Sequence, residues 1–187
     1  MVLSDERFQV TIEKDTQYSL FSTDNRKYDH TYFLEEYSRN DFFSAYSISI
    51  ISKTECALIV VVGRAFGCIE NCAVLENDRL VVLVDNYLAF INLINYQLMD
   101  KIKIIDFGTG IEIHSFDNGY VVNSELDIIK INKHGIKEWS FSGRDIWVTP
   151  NGERSLIITS DKLCLTDWYG NKYLVNKDGD EIPVQNA

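Results

Sequence analysis

Proline is scarce in this 187-residue chain: Pro150 and Pro183 are the only two, so strand-length segments run without the residue that interrupts a β-ladder. Basic side chains are also in deficit. Lysine and arginine total 18 against 28 aspartates and glutamates, a formal net charge of −10. Affinity for a polyanion rests on cations that neutralise phosphates, so this balance argues against direct nucleic-acid binding. Residues 1–55 carry ten acids and six bases, and the remainder is acidic too, so no charged tail accounts for the excess. Long apolar runs are missing. The longest, Ala57 to Val62, is far too short to span a bilayer as a helix. The first residues, Met1 to Arg7, lack the basic region and apolar core of a signal peptide. A cytoplasmic protein with reduced thiols is the expectation, with no membrane contact.

Chemistry-bearing constellations are equally thin. Three residues separate Cys68 from Cys72 where a zinc knuckle has two between its cysteines, and no nearby Cys/His pair completes four ligands. Cys56 and Cys164 stand in apolar strands, where a thiol acts as a small hydrophobe. The three histidines, His30, His114 and His134, carry no catalytic signature; a hydrolase would need His114 or His134 within reach of a carboxylate or thiol. Gly108-Thr109-Gly110 lacks the later Gly and Lys of a phosphate loop and reads as a link between sheets. The expectation is a non-enzymatic protein with no catalytic residue, no cofactor and no metal.

What the chain does have is strand. Its hydrophobic content is 45%, and 10 Phe, 10 Tyr and 3 Trp accompany the Ile/Val runs. Residues 111–147 read as four short strands, punctuated by Asp117-Asn118-Gly119, Ser124-Glu125-Leu126 and Lys133-His134-Gly135. This is an antiparallel meander of the kind that makes one propeller blade. Equivalent third-strand ends fall at Asn92, Asn132 and Asp167, spaced by 40 and 35 residues. Asn132-Lys133-His134-Gly135, Asp167-Trp168-Tyr169-Gly170 and Asn176-Lys177-Asp178-Gly179 repeat one turn chemistry, an Asx side chain followed three residues later by glycine. The fold class is all-β, made of antiparallel four-stranded meander repeats. Three repeats, about 68–105, 111–142 and 145–176, do not close a ring, and an open arc or incomplete propeller follows.

The expected organisation is one all-β domain, with irregular N-terminal strands and a hairpin over 1–62 and the repeats over 63–182. Arg7 to Ile12 alternates as a strand, and Tyr18 to Phe21 reads as a second. Thr31 to Phe43 fits either a short amphipathic helix or a strand, because its aromatics suit both. Tyr46–Ile51 and Cys56–Val62 form a hairpin whose second strand, apolar on both faces, belongs in the middle of a sheet; Gly63 and Gly67 bracket the turn after it.

Trp139 to Pro150 (WSFSGRDIWVTP) resembles a family of small bacterial all-β proteins with propeller-like repeats of the WD40 or PQQ kind, and Leu165 to Tyr173 is similar to that family's closing hairpin. The likeness spans about 74–182. Asn123-Ser124-Glu125-Leu126 departs at two of four positions from the His-Gly-Glu-Leu often found there. The resemblance implies a fold and supplies no catalytic residue; its association with toxin and immunity clusters suggests a protein that neutralises a cognate toxin, such as a basic nuclease. On the residues themselves, Trp168 and Tyr169 are the expected anchors of a basic protein partner, with Asp145, Asp167, Asp178, Asp180 and Glu181 as an acidic surround. Arg144 beside Asp145 is expected to form an ion pair between sheets. The competing reading is a small-molecule or glycan-binding module.

Overall fold

The computed structural model describes residues 1–38, 40–64 and 69–183. Seventeen strands and no helix are found among them, and no helix is long and apolar enough to cross a membrane. The chain divides into two compact units, Met1–Ile104 and Ile105–Ala187.

The first unit contains a five-stranded sheet in the order β1-β2-β4-β5-β3, built from β1 (Val2–Ser4), β2 (Phe8–Lys14), β3 (His30–Phe33), β4 (Ser44–Ser52) and β5 (Cys56–Gly63). β5 lies between β4 and β3, as its apolar faces require. Ile59 and Val61 point into one core with Val10, Ile12, Ile48 and Leu80, while Val60 and Val62 lie beneath Tyr18, Leu20, Tyr28, Tyr37 and Phe43. That second cover explains the aromatic-rich N-terminal segment. Of the two readings of Thr31 to Phe43 the strand holds, over His30–Phe33, and it runs parallel to β5. Tyr18 to Phe21 is not a strand: the side chain of Asn25 accepts from Ser19 N and donates back to Ser19 O, which closes this segment as a loop. The expected turn at Gly63 and Gly67 reaches outside the described residues, as does Cys68. The same unit holds an antiparallel meander of β6 (Ala73–Glu76), β7 (Arg79–Val84), β8 (Tyr87–Asn92) and β9 (Leu98–Lys103).

The second unit is two further four-stranded antiparallel meanders. One is β10 (Gly110–Phe116), β11 (Gly119–Ser124), β12 (Asp127–Asn132) and β13 (Lys137–Ser142); the other is β14 (Leu156–Ile158), β15 (Lys162–Thr166), β16 (Lys172–Asn176) and β17 (Glu181–Ile182). Phe116, Val121 and Ile128 from the first sheet meet Leu163, Leu165, Tyr173 and Val175 from the second, with the fully buried Trp147 of the connection among them.

The repeated turns are built alike. Asn92 Oδ1 accepts from Ile94 N, Asn132 Oδ1 from His134 N and Ile136 N, Asp167 Oδ1 from Asn171 N, and Asn176 Oδ1 from Asp178 N and Asp180 N. Gly135, Gly170 and Gly179 take the positive φ that each turn then needs.

The buried polar positions include a lysine. Lys130 on β12 is buried, and its Nζ reaches Glu138 Oε2 at 3.0 Å, a carboxylate that is itself half exposed. Removing the partner strands the charge, whereas removing the charge does not. Glu138→Gln is expected to cost about 1–2 kcal/mol and Lys130→Met to be near neutral, read by urea denaturation. Equal losses from the two variants would show that the lysine's stem matters more than its charge.

Candidate functional site

The turn between β15 and β16 is the most tightly specified feature of the second unit. Asp167 is fully buried, and its carboxylate accepts from Asn171 N at 2.9 Å, Asn171 Nδ2 at 2.8 Å and Tyr173 Oη at 2.9 Å. Burial alone raises a carboxyl pKa. Here the hydrogen bonds from Asn171 and Tyr173 outweigh it and hold Asp167 below its ordinary value. The backbone closes the turn from Gly170 N to Asp167 O, and Trp168 N donates to Ile146 O. Both polar atoms of the Asp167 side chain are thus committed inward, and the next two side chains are left outside: Trp168 is 41% exposed and Tyr169 78%.

The residues expected to surround this aromatic pair are not gathered there. Asp167 belongs to the interior and offers no charge to a partner. Asp178 and Asp180 stand in the Asn176 turn at the far end of β16, which at about 3.3 Å per residue is on the order of 13 Å away. That turn is locked by its own contacts: Trp139 Nε1 donates to Lys177 O, and a Cβ on Gly179 would lie 2.7 Å from the Trp139 ring. Asp145 is half-buried, its Oδ1 accepting from Ile146 N at 2.7 Å. The expected Arg144–Asp145 ion pair does not form, because that carboxylate is turned back on its own loop. What ties the loop to the second sheet is the Arg144 backbone N–H, which donates to Tyr173 Oη at 3.1 Å. Glu181 lies on β17 opposite Val175, and it shares a groove with Arg144 and Lys172. The charged side chains of that groove are therefore mixed in sign.

A second cluster was legible only in part. Glu112 and His114, two apart on β10, share a face, and His114 Nε2 lies 2.9 Å from Glu112 Oε2. Asn123 Nδ2 donates to Glu112 Oε1 and to Ser155 Oγ, which joins the two sheets. Burial works to raise the Glu112 pKa, and the hydrogen bonds from His114 and Asn123 override it, so the carboxyl is held low. The Glu-x-His spacing in a strand was the available signal; nothing in the sequence announced Asn123 or Ser155. Elsewhere His30 stacks on Tyr32, and Cys72 is buried while Cys56 is exposed. No group of three His, Cys, Asp or Glu able to hold a metal is found among the described residues.

Sheets of this kind, four antiparallel strands in sequential order repeated along the chain, define an all-β protein of propeller-like construction. The solved structure of dihydro-heme d1 dehydrogenase NirN in complex with DHE is similar in fold, with a TM-score of 0.52 at 14% identity, over 79% of this chain and 36% of that one. Kluyvelomyces marxianus Hsv2 matches with a TM-score of 0.43 at 10% identity, over 74% of this chain and 46% of that chain. Kuenenia stuttgartiensis hydrazine synthase matches with a TM-score of 0.43 at 14% identity, over 86% and 49%. The chain thus spans between about a third and a half of the structures it resembles. No protein-family model and no curated protein matches the sequence.

Proposed function

We propose that this protein is a non-enzymatic protein-binding module, in its most concrete form an immunity protein that neutralises a cognate bacterial toxin, and that Trp168 and Tyr169 are its anchors. The observation that carries this reading is the pairing of two exposed aromatics with a turn whose backbone and carboxylate are fully committed. Large rings with few rotatable bonds, displayed on a rigid support, lose little entropy on docking and bury much area. The net charge of −10 favours a basic partner, acting through the field of the whole molecule, since the acids are dispersed and not ringed about the tip.

A photo-crosslinking residue at position 169, expressed in the native host, is expected to trap a protein, and the same residue at Ile51 on the other unit is not. With the trapped protein in hand, Trp168→Ala and Tyr169→Ala are each expected to weaken binding by about ten- to a hundredfold without lowering Tm. If the partner is a toxin, the same variants lose protection of a growing cell. Affinity unchanged in the double variant removes the reading.

A further inference from the structure

Among the described residues, Arg7, Arg64 and Arg79 each hold a carboxylate, on Asp78, Glu35 and Glu76. Arg144, like Arg26 and Arg154, has none within ion-pairing distance, even though Asp145 follows it. Its backbone, in contrast, is fixed from three sides. The N–H is taken by Tyr173 Oη, Ser142 Oγ donates to Asp127 Oδ1, and Gly143 lies so close under Trp147 that a Cβ there would be 2.7 Å from the ring. The guanidinium is exposed at the edge of a groove of about 370 Å³, which it lines together with Lys172, Phe141, Tyr173 and Glu181. Lys172 likewise has no carboxylate within ion-pairing distance among the described residues.

Arg144 and Lys172 line one recess, neither in an ion pair among the described residues, in a molecule that has ten more acids than bases; the one carboxylate that lines it with them is that of Glu181. The fixed hydroxyls of the recess are already used: Tyr173 Oη donates to Asp167, and Ser142 Oγ donates to Asp127. The uncommitted groups are therefore the guanidinium, the ammonium and the Glu181 carboxylate, beside the half-buried ring of Phe141. Guanidinium and ammonium groups outside any ion pair are complementary to a planar or tetrahedral oxyanion, and a rigid loop reduces the entropy lost in binding one.

We infer that this groove is a binding site for a small molecule bearing a carboxylate or phosphate group, which Arg144 and Lys172 take, while an apolar portion lies on Phe141 and a hydroxyl or amine faces Glu181. The inference does not rest on docking at Trp168 and Tyr169.

The test is an NMR titration of the labelled full chain at constant ionic strength with inorganic phosphate, phenyl phosphate and acetate. Saturable shifts are expected at Gly143, Arg144, Lys172 and Tyr173, and phenyl phosphate is expected to bind about three- to tenfold tighter than phosphate because its ring adds apolar burial. Saturation by acetate alone would assign the group as a carboxylate, and by the phosphates alone as a phosphate. Arg144→Gln and Lys172→Gln are each expected to weaken binding about tenfold, with Arg26→Gln in the other unit as the unaffected control. Glu181→Gln is expected to tighten it about two- to threefold by removing a like charge. Shifts that stay linear with every probe, or an Arg144→Gln/Lys172→Gln double variant that binds as the parent does, overturn the assignment.

Discussion

Trp147→Ala is expected to destabilise the 105–187 unit by about 3–5 kcal/mol, the cost of deleting a large buried aromatic whose cavity cannot fully collapse. The indole is fully buried, with ring centroids 5.4 Å from Tyr173 edge-on and 6.0 Å from Phe141. The residue sits in a connection, not a strand, and its backbone N–H donates to Glu125 O at 2.9 Å. One side chain thus joins the core of two sheets and floors the Gly143 loop. The indole Nε1 has no hydrogen-bond partner, so an apolar ring of smaller size loses packing only. Trp147→Phe is accordingly expected to cost about 1–2 kcal/mol, well below the alanine variant. The measurement is direct, because all three tryptophans, Trp139, Trp147 and Trp168, lie in this unit and the two that remain report its unfolding by fluorescence. An alanine variant within about 1 kcal/mol of the parent would mean that the indole does not hold the sheets together. The same variant frees Gly143 from its neighbour, so it is also expected to loosen the groove at Arg144.

Much of this architecture was written in local pattern. The β-strands of the repeats announce themselves because their side chains alternate and because Asn132, Asp167 and Asn176 are followed by a glycine at the same offset; both signals are local, and the structure uses them as read. The N-terminal segment was opaque for a non-local reason. Its aromatics form no self-contained amphipathic face: Tyr18, Tyr28, Tyr37 and Phe43 cover Val60 and Val62 on a strand further along the chain. Spacing within a segment carries no information about a cover laid from elsewhere. Parallel pairing of β3 with β5 is hidden for the same cause.

The candidate site divides along the same line. That Trp168 and Tyr169 occupy a turn is a local property, and their exposure follows from it. That Asp167 faces inward is not local, since the same Asx-x-x-Gly pattern leaves Asn132 and Asn176 half-buried while Asp167 is fully enclosed. The difference is Tyr173, whose hydroxyl bridges the carboxylate and the backbone of Arg144. Asp167 is thus the pin of the turn and not a surface charge. Asp145 follows Arg144 and carries the opposite charge, yet its carboxylate accepts from Ile146 N and leaves the guanidinium outside any ion pair.

Asp167→Ala is expected to lower stability by about 3 kcal/mol, because it leaves the Tyr173 hydroxyl and two Asn171 donors without their acceptor, at about 1–3 kcal/mol for each buried group left unsatisfied. Asn171 is exposed and recovers water, which is why the loss stays below the sum. Asp167→Asn keeps the shape and one acceptor, and an intermediate loss of about 1–2 kcal/mol is expected. The pH dependence separates charge from shape. The folded-state pKa of Asp167 is depressed: burial works against the charged form, but the hydrogen bonds from Asn171 and Tyr173 dominate. A depressed carboxyl stabilises the fold fully above the unfolded-state pKa of about 3.9, and that contribution is lost as pH falls through the lower folded-state value. The stability gap between the parent and Asp167→Asn should therefore be flat from pH 7 to about 5 and narrow below about pH 4, in urea denaturation series run side by side. Glu112, also held low, titrates in both proteins and cancels in the difference. A gap that persists unchanged to pH 3 would place the value of Asp167 in its shape alone. Because the carboxylate fixes the backbone on which Trp168 and Tyr169 stand, the alanine variant is further expected to lose partner binding under conditions where it remains folded.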